Sequence, residues 1–215
     1  MDRCAWVNRN NPLYIRYHDE EWGVPLHDDG ALYELLILES FQAGLSWECV
    51  LNKREAFRRA LDGFDPQAVA AYGEDKIEAL MRDPAIIRNR RKIAAAIKNS
   101  RVFLEIQKEH GSFDAYLRSF SGGEIIFEEY TLRTTSPLSD AISADLKRRG
   151  MTFVGSTILY AFLQSIGVID AHGKECDKHY AYRPAGQYRH DRRTAQRKGL
   201  HGVHVLFKER RQGSN

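Results

Sequence analysis

The stretch Arg149-Gly150-Met151-Thr152-Phe153-Val154-Gly155-Ser156 decides the fold. Two glycines flank a short apolar run, and helical patterns lie on both sides. Ser139 to Arg149 is the helix before it, and Ser156 to Ile166 the helix after it. Gly155 permits a tight turn and a close backbone approach. Ser156 and Thr157 open the second helix, whose first N–H groups lack intrahelical partners. A helix start of this kind attracts anions, and Lys147, Arg148 and Arg149 stand beside it. The residues leave two readings open. One is a helix-hairpin-helix gripping a DNA phosphate through backbone amides; the other is an ordinary helix–helix turn.

Upstream, the same helical grammar repeats. Asp28-Asp29 caps a helix over 30–43, with Leu32, Leu35, Leu36 and Ala43 on one face. Ser46 caps a second helix through Trp47, Val50, Leu51, Phe57 and Leu61, ending at Gly63. Asp65-Pro66 starts a short one by the proline-first rule. Asp75 to Met81 is another. Asp83-Pro84 opens a long helix from Ile86 to about Glu109, stopped by Gly111. Ser112 to Phe120 follows, stopped by Gly122-Gly123. Residues 124–136 read as irregular chain more than as a strand. Eight short helices with almost no strand signal predict an all-α domain.

The formal net charge of +3 hides an asymmetry. Residues 181–215 carry nine basic residues against Asp191 and Glu209, a net +7. Residues 1–180 are net −4. An acidic helical body over 1–180 thus bears a basic tail over 181–215, expected to be flexible and to add sequence-independent phosphate attraction. No apolar run approaches the roughly 18–20 residues of a membrane helix. Met1-Asp2-Arg3-Cys4 has none of the apolar character of a secretion signal. Cys4, Cys49 and Cys176 are odd in number and far apart, which excludes a disulfide scaffold and makes the cytoplasm the expected compartment.

Three groupings carry candidate chemistry. His172 and Cys176 are spaced i, i+4, so on a helix they would share one face. Cys4 and His18 would complete a closed Cys2His2 tetrahedron of the structural zinc type, with His27, His179 and Cys49 as spare candidates. Four unrelated residues is the alternative. Cys49 itself reads as a small buried apolar residue. Glu39 continues the Leu32, Leu35, Leu36 seam and is a candidate buried carboxylate, which must pair or shift its pKa. Glu34 reads as plain surface. Trp6, Tyr14, Tyr17, Trp22 and Trp47 include every tryptophan. Such rings either sandwich a flipped base or form an aromatic mini-core. A further basic group, Arg88, Arg90, Arg91, Lys92, Lys98 and Arg101, reads as the solvated face of a long helix.

Taken together, these residues resemble the DNA-3-methyladenine glycosylase I family. The resemblance runs through Cys4 to Val7, Pro12 to Pro25, Leu38 to Trp47, Ile86 to Ile93 and Phe153-Val154-Gly155, and covers about residues 1–180. It implies a helix-hairpin-helix DNA glycosylase acting on double-stranded alkylated DNA as a monomer. The resemblance assigns Glu39 to the polar edge of the flipped base and Trp6, Tyr14, Tyr17, Trp22 and Trp47 to the aromatic pocket. It assigns Cys4, His18, His172 and Cys176 to one structural zinc ion per chain. Lys147, Arg148, Arg149, Gly155, Ser156 and Thr157 form the expected DNA contact. Two departures stand out. The family's usual Asn-Asp-His is here Asp170-Ala171-His172, making Asp170 a candidate second catalytic carboxylate or a helix C-terminal cap. Ser40 replaces a usual glycine and is expected to be tolerated. Two other classes share some of these residues: a non-cutting reader of alkylated bases, and a zinc hydrolase. The hydrolase would need an open metal position, which a four-ligand set does not leave.

Overall fold

A computed structural model describes residues 1–128 and 133–182. The expected basic tail, 181–215, lies almost wholly outside them. The chain starts with an arm: a short helix α1 (Pro12–Arg16), capped by the Asn11 side chain, runs into a π-helical turn over Tyr17–Glu21. Then come α2 (Asp29–Gln42), α3 (Trp47–Leu51), α4 (Arg54–Ala60), α5 (Pro66–Ala70) and α6 (Glu74–Arg82). The long α7 (Arg90–His110) and α8 (Phe113–Ser121) follow. Strand β1 (Ile126–Phe127), α9 (Pro137–Arg148), α10 (Ser156–Ser165) and β2 (Ile169–Asp170) complete the body.

Helix α2 is the axle. Ten consecutive residues from Leu32 to Phe41 are buried, and α3, α7, α8 and α10 pack around them. Asp28 caps it through the Ala31 N–H, as its sequence predicts. Total burial corrects one expectation. Glu34 is buried, with Arg54 and Arg58 both ion-paired to its carboxylate. A helix that is apolar nearly all round has no surface side, so its charges must be neutralised internally.

Other differences have local causes. The helix expected from Ser46 to Gly63 breaks at Asn52, whose side chain accepts a bond from Asn11 of the arm. The long helix begins at Arg90, because Asn89 turns extended and caps it through the Lys92 N–H. Ser136 and Ser139 form a reciprocal capping box with Pro137 at the first turn, which starts α9 two residues early. Within 124–136, β1 pairs in parallel with β2 over two residues, Ile126 with Ile169 and Phe127 with Asp170. Asp170 is therefore a strand residue, not a helix cap. Cys49 is half-buried, with its backbone N–H capped by Ser46. Ser40, as expected, is accommodated: its hydroxyl donates to the Leu36 carbonyl at 2.9 Å.

Candidate active site

The arm closes over α2 and α10 to form a cavity of about 310 Å³. Trp6, Tyr14, Tyr17, Trp22, Glu39 and Trp47 all line it. The π-helical turn places Tyr17 inward, and Arg54 fastens that turn by pairing with both Glu21 and Glu34. The rings brace one another: Trp6 and Tyr14 at 5.4 Å between centroids, Trp6 and Trp22 at 4.9 Å, Tyr17 and Trp47 at 5.3 Å. Glu48, beside Trp47, accepts from Asn8 and Asn11 and so pins the arm to α3.

Among the described residues Glu39 is the only acidic one lining this cavity, and it is 2% exposed. Among the same residues nothing bonds its Oε2, and the same holds for Gln42 Oε1 and Trp47 Nε1. Burial pushes the Glu39 carboxyl up to about 8. Burial, with the Glu48 and Glu39 carboxylates nearby, pushes the Tyr14 phenol up to about 12, so its O–H stays protonated. The site thus offers electron-rich faces and one carboxyl awaiting a partner. That combination suits a flat, cationic or amino-bearing ring.

Beside the cavity, the ligand atoms of Cys4, His18, His172 and Cys176 all lie within 4.8 Å of one another, and all four residues are buried. Cys4 Sγ is 3.5 Å from His172 Nδ1, and Cys176 Sγ is 3.5 Å from His18 Nε2 and 3.6 Å from His172 Nδ1. A tetrahedral zinc sets S···N edges of about 3.6 Å. His18 donates its other ring N–H to Asp19 at 2.8 Å, and Arg3 grips that carboxylate in turn. Backbone N–H groups of Gly173 and Lys178 point at the two sulfurs. Burial pushes the Cys4 thiol up to about 12, so a cation is what would hold its thiolate here. No helix spans His172 to Cys176; successive turns bring them together. Gly23, at φ +78°, packs so closely that a Cβ there would sit 2.8 Å from His172 Nε2. His27 pairs with Asp114 instead, away from the cluster.

The α9–α10 loop is clamped from behind. Asn99 of α7 accepts from the Thr152 N–H and donates to the Thr152 carbonyl, both at 2.9 Å. Ser143 donates to the Val154 carbonyl at 2.7 Å. Gly150, at φ +106°, makes the turn. Gly155 has an ordinary φ of −63°; what it offers is open space where a side chain would stand. The flanking basic residues divide. Lys147 and Thr157 are exposed. Ser156 bonds Ser139 and Asp140, Arg148 pairs with Asp145, and Arg149 is held between Asp145 and Glu109. In the second basic group, Arg88 and Arg91 are exposed, while Arg90 pairs with Glu74 and Glu78.

The methyladenine glycosylase family model matches residues 6–179. The chain belongs to this family. It is 44% identical over 180 residues to DNA-3-methyladenine glycosylase 1 of Escherichia coli K12, covering 82% of this chain and 96% of that one. A crystal structure of 3-methyladenine DNA glycosylase I superposes with a TM-score of 0.79 at 43% identity, over 83% of this chain and all of the other. A tyrosine-to-phenylalanine variant of such an enzyme, in complex with 3-methyladenine, superposes at 0.78 with 37% identity, over 82% of this chain and 96% of that one.

Within this methyladenine glycosylase chain, the far cavity wall escapes sequence reasoning. Gln42, Arg133, Thr134, Tyr160, Ala161, Gln164 and Ala171 line it too. Gln42 carries a usable signal, since it lies three residues from Glu39 on one helix face. Tyr160 and Gln164 share a face of α10 in the same way, but nothing local says which face meets the arm. Asp170 is absent from the lining; it is buried and accepts the His172 N–H at 3.3 Å.

Proposed function

We propose that this chain excises 3-methyladenine from alkylated duplex DNA by hydrolysing its N-glycosidic bond. The observation that carries the reading is the aromatic box around one buried carboxyl with an unpartnered oxygen. N3-methylation makes adenine cationic and a good leaving group, so strong acid catalysis is unnecessary. Each ring face contributes roughly 0.5–2 kcal/mol toward a cation. Glu39 adds a charge-assisted contact that neutral adenine would satisfy less well. The sugar cation left behind draws stabilisation from nearby negative charge, the DNA phosphates included, and water completes the reaction. The hairpin 150–155 and α10 contain no lysine, which fits a hydrolase without a lyase step.

The α9–α10 loop serves as the helix-hairpin-helix grip on phosphate, with its outward amides, Lys147 and Thr157 as the contacts. Zinc is the metal we assign to Cys4, His18, His172 and Cys176; the thiolate–imidazole donors and S···N spacing fit it. When bound, it supplies a crosslink between the arm and the β2 segment. Asp170 then serves the His172 loop, while Glu39 meets the base.

Leu45 stands 43% exposed on the turn after α2, between Gln42 and Trp47, which both line the cavity. An apolar side chain there suits the gap that a flipped base leaves in the stack. Leu45→Ala is expected to lower excision from a paired site by about tenfold, and less when the damaged base is already mispaired.

The decisive experiment is analysis of bases released from methylated duplex DNA carrying 3-methyladenine, 3-methylguanine and 7-methylguanine. Release of 3-methyladenine is expected. Tight binding without release would leave the non-cutting reader in its place.

A further inference from the structure

The segment Ile86 to Ile93 is part of the family resemblance, yet neither the cavity nor the metal cluster uses it. Its lysine, Lys92, is buried in the first turn of α7. Desolvating an ammonium there is unfavourable, and an apolar side chain would pack at less penalty. Its Nζ donates to the Phe41 carbonyl at 2.7 Å and to the Ala43 carbonyl at 2.6 Å. Both oxygens belong to the C-terminal end of α2, where carbonyls lack intrahelical partners and the helix dipole is negative. The same Nζ lies 5.9 Å from the centre of the Phe153 ring. Phe153 is the hairpin residue held at φ +57°, a conformation that a bulky side chain rarely adopts. Seven residues further along this face of α7, Asn99 clamps Thr152.

Two segments therefore meet on one face of α7. One is the turn that follows Glu39 and Gln42 and carries Leu45. The other is the hairpin. We infer that Lys92 is a positioning residue that locks the turn after α2 against the α9–α10 hairpin, so that the base pocket and the phosphate grip engage one duplex together. This inference rests on the DNA-glycosylase reading above. A lysine that only stabilised the fold would change base binding and excision in step with thermal stability. A spacer between two DNA-facing segments changes excision from DNA and leaves the pocket's affinity for a free base alone.

Lys92→Met has nearly the same length without the charge or the donors. It is compared with wild type by thermal midpoint, by tryptophan-fluorescence titration with free 3-methyladenine, and by single-turnover release from alkylated duplex. Free-base affinity is expected within about twofold of wild type, with excision lower by about 10- to 100-fold. Lys92→Arg, which keeps charge and donors, is expected to fall between the two. Excision within about twofold of wild type overturns the inference, as does a parallel fall of base affinity and excision. Should Lys92→Met fail to fold, Lys92→Gln, a shorter side chain with an amide in place of the charge, is read by the same criteria. Wild type releasing no base overturns the function and this inference with it; a loss confined to the variants speaks to Lys92 alone.

Discussion

Glu39→Gln is expected to lower kcat/KM for 3-methyladenine release by about 100- to 1000-fold, the usual effect of deleting one preorganised polar contact at a reacting site. It should also abolish a pH dependence. With its carboxyl at about 8 in the free protein, Glu39 is mostly neutral at pH 7. A cationic base favours the ionised form, so wild-type kcat/KM should rise with pH through about 8 and then level, while the variant stays flat. The same group predicts an opposite trend in stability. Between the ordinary carboxyl value of 4.5 and about 8, the folded chain holds a proton that the unfolded chain has released. Stability therefore falls as pH rises across that window and levels above it. The span corresponds to on the order of 5 kcal/mol. Glu39→Gln should melt higher than wild type at pH 8, with the gap closing toward pH 4.5. Thermal melts at several pH values check this. Parallel melting curves for the two proteins would show that Glu39 carries no buried-charge penalty.

Metal removal is expected to have the other large effect. Trp6, Tyr14, Tyr17 and Trp22 all reach the cavity from the arm, and Cys4 and His18 are the arm's share of the cluster. A structural zinc of this type contributes on the order of 10 kcal/mol to local order. Cys4→Ser, or prolonged chelation, should release one zinc per chain, lower the melting midpoint by about 10 °C or more, and abolish 3-methyladenine binding. Circular dichroism should show most of the helix intact, because α2 and α7 to α10 also pack directly against one another. Returning zinc to the chelated protein should restore both readouts. Loss of turnover at an unchanged midpoint and unchanged base affinity would instead point to a catalytic metal.

Much of this site is legible in the sequence because its parts are declared by residue type. A seam of leucines placed Glu39 inward, and α2 does carry it into the cavity. Five aromatics concentrated in and near the arm announce a stacking surface, and the fold gathers all five. Legibility ended where a residue's meaning depends on what packs against it. Glu34 reads as surface by its angle from the seam, yet α2 has no outer side. Most of the far wall of the cavity comes from residues 133–134, α10 and Ala171, more than a hundred residues away from the arm, and no local period records that meeting.

Sequence alone determined the helical class and many of the boundaries, since caps, prolines and periodicity act within about four residues of each other. It also determined the inventory: which rings, thiols and imidazoles exist to be used. Tertiary structure decided which of them are spent. Arg90, Lys92 and Arg149 look alike in the chain, yet the fold commits Arg90 to Glu74 and Glu78, Lys92 to two carbonyls, and Arg149 to Asp145 and Glu109. Cys4 and His172 are 168 positions apart and meet at 3.5 Å, while His172 and Cys176 meet without the helix their spacing invited. Periodicity reports which way a side chain points; only the packing of distant segments reports what it finds there.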